Sequence, residues 1–186
     1  MSSRSESTHW HARAAALAPR PDAQDRAWLF DPGSLTRRLV AACPGRFRVD
    51  LVSQRRARPT AGESRRLGLR AGRWAIVREV VLRCDERPWV FARTVIPLVS
   101  IRGRLRRFTR LGTRPLGAVL FAQRGLEREP FEIARVRPGH ALHVRMRSAV
   151  GVTSPVWARR AVYRLDAGRL LVTEAYLPER PAWRAR

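Results

Sequence analysis

WAIVREVVLRCDERPWVFARTVIP, residues 74–97, is the stretch whose reading decides the fold. Two runs rich in β-branched and aromatic residues, Trp74–Cys84 and Trp89–Ile96, flank the turn-forming Asp85-Glu86-Arg87-Pro88. That pattern predicts a β-hairpin. Downstream, Phe131–Val136, Ala141–Arg147, Val156–Leu165 and Leu170–Leu177 read as further strands, with Asp166-Ala167-Gly168 closing a second hairpin between the last two. Between the two hairpins, Leu105–Leu111 reads as a short helix. Thr113-Arg114-Pro115-Leu116-Gly117 opens another helix running to about Ala122, with Thr113 as N-cap and Pro115 in the first turn. Upstream, Phe47, Val49 and Leu51 alternate as a first strand, and Leu35–Ala42 reads as a helix capped by Ser34 and ended by Cys43-Pro44-Gly45. Residues 53–73 form a long Arg/Gly/Pro-rich excursion of the kind used for lids and binding loops. Consecutive hairpins without βαβ alternation predict an α+β domain, a single antiparallel β-sheet of about six strands with helices on one face. The domain is expected over residues 28–186, behind a polar and flexible lead of residues 1–27.

The composition narrows the function classes. No run of 18 apolar residues occurs, so no membrane span is expected, and Met1–Arg13 lacks the apolar core of a secretory signal. A cytoplasmic location follows, in which Cys43 and Cys84 are expected as reduced, buried thiols. The formal net charge is +23, and all 38 basic residues are arginine. These arginines are dispersed along the chain, which fits a solvated basic surface or a field that attracts small anions better than a specific nucleic-acid interface. His140 and His143 have no metal-ligand company, and no Gly-rich phosphate loop is present.

Three charges fall on apolar strand faces. Side chains alternate across a strand, so Arg78 shares a face with Ile76, Val80 and Leu82. Arg93 shares one with Phe91 and Val95, and Glu174 one with Leu170, Val172 and Tyr176. A buried unpaired charge costs several kcal/mol, so each needs a partner. Either the three pair with one another or keep their heads in water at the sheet edge, or they line a pocket. In such a pocket two arginines would grip carboxylates and the glutamate would handle a proton. The helix start at Leu116 adds free backbone N–H groups suited to a carboxylate.

These positions lie in stretches that resemble the chorismate lyase family. The stretches are Gly33-Ser34-Leu35-Thr36-Arg37-Arg38-Leu39, Val77-Arg78-Glu79-Val80-Val81-Leu82, Pro88 to Pro97, Leu111 to Gly117, Phe131-Glu132-Ile133, and Leu170 to Pro178. They follow the family's order and spacing across roughly residues 28–183. The resemblance implies a monomer in which flap segments enclose an internal ligand cavity, with no metal or organic cofactor. It implies elimination of pyruvate from chorismate to give 4-hydroxybenzoate for ubiquinone biosynthesis. By the same resemblance Arg78 and the backbone of Leu116 hold the ring carboxylate, Glu174 lies beside the C4 hydroxyl, and Arg93 serves the enolpyruvyl side. Leu35 lines the pocket, and Ala92 stands where some members have glycine. The competing expectation is a non-catalytic effector-sensing domain of the same fold. Such sensors carry a separate helix-turn-helix domain, for which the lead is too short and too rich in proline.

Overall fold

The computed structural model describes residues 9–12 and 17–183. The elements are α1 (Ala23–Phe30), α2 (Leu35–Ala42), β1 (Phe47–Ala57), α3 (Ala61–Arg66), β2 (Ala75–Cys84), β3 (Arg87–Pro97), α4 (Leu116–Phe121), β4 (Glu127–Arg128), β5 (Glu132–Val136), α5 (Ala141–Val150), β6 (Val156–Leu165) and β7 (Gly168–Tyr176). Two 3-10 segments, Leu98–Ser100 and Gly103–Arg110, follow β3. The seven strands form one antiparallel sheet in the order β1-β2-β3-β7-β6-β4, with β5 also pairing with β6. Both predicted hairpins are present, and each turns on an aspartate with positive φ, Asp85 at 51° and Asp166 at 54°. Aspartate is among the few residues other than glycine that enter this region readily.

Register sorts the strand side chains into two faces. Arg78 pairs with Thr94, Ala92 with Glu174, and Glu174 in turn with Arg159. These residues share one face. The neighbouring row, Glu79 opposite Arg93 opposite Thr173 opposite Arg160, shares the other. The first face packs against α1, α2, the 103–110 segment and α4 through Leu29, Leu35, Leu39, Leu105, Phe108 and Leu120. The second packs against α3 and α5 through Leu67, Leu142 and Met146. The α+β class and the antiparallel sheet stand as expected, but helices cover both faces.

Local readings fare unevenly. Helix α2 spans the expected residues, and Ser34 Oγ accepts from the Arg37 N–H at 3.5 Å. Ala141–Arg147, expected as a strand, is helical. Leu142, Val144 and Met146 alternate like strand residues, yet the helix buries Leu142, His143 and Met146 on one stripe and leaves Val144 53% exposed. Gly151 at φ 70° ends it. Much of the excursion at 53–73 is regular structure. Strand β1 continues to Ala57, and α3 follows under a capping box made by Thr60 and Glu63 on the second face. Helix α4 starts after Pro115, so Thr113 is not its cap. The lead is partly built in: His11 bridges Ile133, Leu17 is buried, and α1 begins at Ala23.

The expectation of two free thiols is also corrected. Cys43, the residue capping the C-terminus of α2, and Cys84, the last residue of β2, form a disulfide. The fold brings their Cα atoms to 5.6 Å, inside the range a disulfide spans. Spacing along the chain carries no sign of this, because the two are 41 residues apart.

Candidate active site

A cavity lies between the first sheet face and the helices above it. Its floor is Arg78, Val80 and Leu82 from β2, Ala92 and Thr94 from β3, and Val172 and Glu174 from β7. Leu35 and Thr36 of α2 and Leu116, Gly117, Leu120 and Phe121 of α4 form its roof. Its interior volume is about 40 Å³, so the roof must part to admit a ring-sized ligand. Gly117 makes the roof close. A Cβ there would sit 2.7 Å from Thr36 Oγ1, so only glycine lets α4 approach α2 this tightly.

Arg78 is 2% exposed. Its Nη2 donates to the carbonyl oxygens of Gly112 at 3.0 Å and Arg114 at 3.1 Å, while its Nε is buried without a partner. No described acidic side chain pairs with it. Burial alone pulls its pKa down to about 10. A guanidinium held this way has donors to offer an incoming anion, and a carboxylate would relieve its desolvation. Leu116, the first residue of α4, lines the same cavity, and no side chain caps the start of that helix.

Glu174 is the one carboxylate among the described lining residues. Its Oε2 accepts from Arg159 Nε at 2.6 Å, and its Oε1 takes no hydrogen bond from any described residue. Arg159 is 1% exposed, and its Nη1 donates to the carbonyls of Trp28 at 3.1 Å and Asp31 at 2.7 Å. The sequence reading passed over Arg159, although the same face argument finds it: Trp157, Arg159, Ala161, Tyr163 and Leu165 form an apolar stripe with one cation in it.

Arg93 is not in this cavity. It projects from the other face of the sheet, where its Nε and Nη2 donate to Glu63 at 2.6 and 3.0 Å and its Nη1 to Glu79 at 2.6 Å. Three of its five N–H groups are held by these two carboxylates, and the structure places it away from the expected enolpyruvyl side, outside the cavity that Arg78 and Glu174 line. Arg78 and Arg93 each sit among large apolar neighbours, but an odd register offset between their strands sends them to opposite faces. Arg78, Glu174, Leu116 and Leu35 do converge, and Ala92 lies between them.

A sequence model of the family described as "Chorismate lyase" matches residues 6–185. The chain belongs to the chorismate lyase family. Among curated relatives, a "Probable chorismate pyruvate-lyase" of Methylococcus capsulatus is 45% identical over 152 residues, covering 82% of this chain and 93% of that protein. One of the same name from Azoarcus sp. is 42% identical over 174 residues, covering 91% and 90%. Among solved structures, PhnF from Mycobacterium smegmatis superposes with a TM-score of 0.57 at 18% identity, over 84% of this chain and 69% of that one. The C-terminal domain of the histidine utilization repressor from Pseudomonas syringae gives 0.56 at 12% identity, over 76% and 98%. The chain therefore shares its fold with these two proteins. At such low identity the likeness speaks for the fold alone.

Proposed function

We propose that the protein eliminates pyruvate from chorismate and releases 4-hydroxybenzoate, supplying the aromatic ring for ubiquinone. It acts in the cytoplasm, as a monomer, on a freely diffusing substrate. The observation that carries this reading is a buried arginine without a carboxylate facing a glutamate across an apolar, roofed cavity. A flat cyclic carboxylic acid with a hydroxyl at its far end matches both poles. In this reading the ring carboxylate takes Arg78 and the N–H of Leu116, the ring lies against Leu35, Val80 and Val172, and Glu174 accepts from the C4 hydroxyl.

The chemistry then needs little from the protein beyond placement. The bond between C3 and the ether oxygen breaks, the proton leaves C4, and the enolpyruvyl carbon receives it to become the methyl group of pyruvate. The ring becomes aromatic, so the step runs downhill without an electron donor or acceptor. Holding the reactive conformer and excluding water supply the rate. With Arg93 on the far face and Glu174 already engaged by Arg159, transfer of the C4 proton within the substrate is the favoured route.

Incubation with chorismate, followed by coupled detection of pyruvate and chromatography of 4-hydroxybenzoate, tests the reading. Equal amounts of both products are expected. Binding of chorismate without either product would instead establish an effector-sensing domain.

A further inference from the structure

Arg159 touches no lining space of its own, yet it joins the cavity to its roof. From Glu174 Oε2 a hydrogen bond of 2.6 Å leads to Arg159 Nε, and Arg159 Nη1 leads on to the carbonyl of Asp31 at 2.7 Å. The Asp31 carboxylate accepts from Arg38 Nε at 2.9 Å, from Arg38 Nη2 at 3.2 Å and from the Gly33 N–H at 3.1 Å. Arg38 belongs to α2, the helix that places Leu35 and Thr36 over the cavity. Tyr176 closes the strap from below, its hydroxyl donating to the Trp28 carbonyl at 3.1 Å, and the Phe131 ring lies 4.3 Å from the guanidinium carbon of Arg159. Arg159 is thus fixed on every side, and only one of its partners faces the ligand.

We propose that Arg159 is the positioning residue of this site: it fixes the orientation of Glu174 and couples that orientation to closure of α2 over the ligand. The inference rests on the proposed lyase reading for its kinetic part and on the hydrogen-bonded strap for its structural part. A half-buried glutamate beside an apolar ring would otherwise choose among several rotamers, and a displacement of about 1 Å at a reacting centre can cost on the order of 10²-fold in rate. The strap also gives ligand exchange a defined latch, because α2 cannot lift without drawing on Asp31 and, through it, on Arg159.

The test is a double-mutant cycle read together with amide hydrogen exchange. Arg159→Gln is expected to lower kcat by about 10²-fold with KM for chorismate changed by less than about threefold. In a Glu174→Gln background the same substitution should cost little more, because a residue that acts through another shows strong non-additivity. Arg159→Lys keeps the cation and should recover part of the loss. Hydrogen exchange over residues 31–42, measured in the absence of ligand, should quicken in both Arg159→Lys and Glu174→Gln. Losses that multiply across the cycle, a change in KM alone, or exchange over residues 31–42 equal to the unsubstituted protein's would overturn the inference. Should the unsubstituted protein form no pyruvate, the lyase reading falls, and the exchange measurement still decides the strap.

Discussion

Replacing Arg78 by methionine should leave the ligand-free protein as stable as before, or slightly more stable, while destroying ligand binding. The drop of its pKa to about 10 corresponds at face value to about 3 kcal/mol against the charged form in the fold. Relaxation of the surrounding dipoles around the charge reduces this to about 1–2 kcal/mol. The folded-state value lies below the unfolded one, so the penalty applies in full at neutral pH and lifts only as pH rises through about 10. Against that gain stand the two hydrogen bonds to Gly112 and Arg114. Both residues are exposed, so water can replace the lost donor at a cost of about 0.5 kcal/mol each. Methionine has similar length and fits the apolar surroundings of Val80 and Leu82. The balance is a change of about 0–1 kcal/mol in favour of the variant, which moves Tm upward by at most about 4 °C. Binding of 4-hydroxybenzoate, by contrast, should lose about 3–4 kcal/mol, or 10²–10³-fold in Kd. Thermal melting without ligand and titration calorimetry with 4-hydroxybenzoate give the two numbers from one preparation. A variant that melts far below the original protein, or one that binds 4-hydroxybenzoate undiminished, would refute the assignment of Arg78 as an arginine held in readiness for an anion.

Glu174→Gln keeps the shape of the side chain and removes its charge; kcat should fall by about 10²–10³-fold while Kd for 4-hydroxybenzoate moves much less, as steady-state kinetics beside calorimetry will show. Arg93→Met strands Glu63 and Glu79 in the opposite face and should cost about 3–5 kcal/mol of stability, measured by urea unfolding, with KM for chorismate in the surviving folded protein unchanged. Gly117→Ala places a methyl group 2.7 Å from Thr36 Oγ1; the roof must part, at about 1–3 kcal/mol, and stopped-flow fluorescence should report faster escape of 4-hydroxybenzoate. Reduction of the Cys43–Cys84 bond, which closes a span of 41 residues, should remove about 2–4 kcal/mol, seen as a lower Tm in dithiothreitol and an unchanged Tm in a Cys43→Ser/Cys84→Ser double variant on adding the same reductant.

Much of the fold was legible because hairpin strands announce themselves locally. Period-two alternation, paired with turn residues at 85–88 and 166–168, located β2, β3, β6 and β7 without any knowledge of their partners. The failures at α5, at Arg93 and at the disulfide are matters of long-range arrangement. Leu142, Val144 and Met146 satisfy the strand period as well as Leu142, His143 and Met146 satisfy the helical one, and only packing against Val81, Phe91 and Ala175 decides between them. The placement of Arg93 failed for a related reason. Alternation within a strand says which residues share a face, but the offset between strands says which faces coincide, and that offset depends on the bulge at Leu82/Arg83 and on the turn. Arg159 was legible by the rule that found Arg78, as the one cation on the stripe of Trp157, Ala161, Tyr163 and Leu165. The disulfide could not be read at all, since it follows from where α2 ends relative to the end of β2.

A crystal structure with 4-hydroxybenzoate tests the account most directly. The benzoate carboxylate should lie within hydrogen-bonding distance of Arg78 and the Leu116 N–H, with the phenolic oxygen beside Glu174. Density for the ligand against Arg93 on the far side of the sheet, or a site between α2 and α4 left empty at saturating ligand, would contradict it.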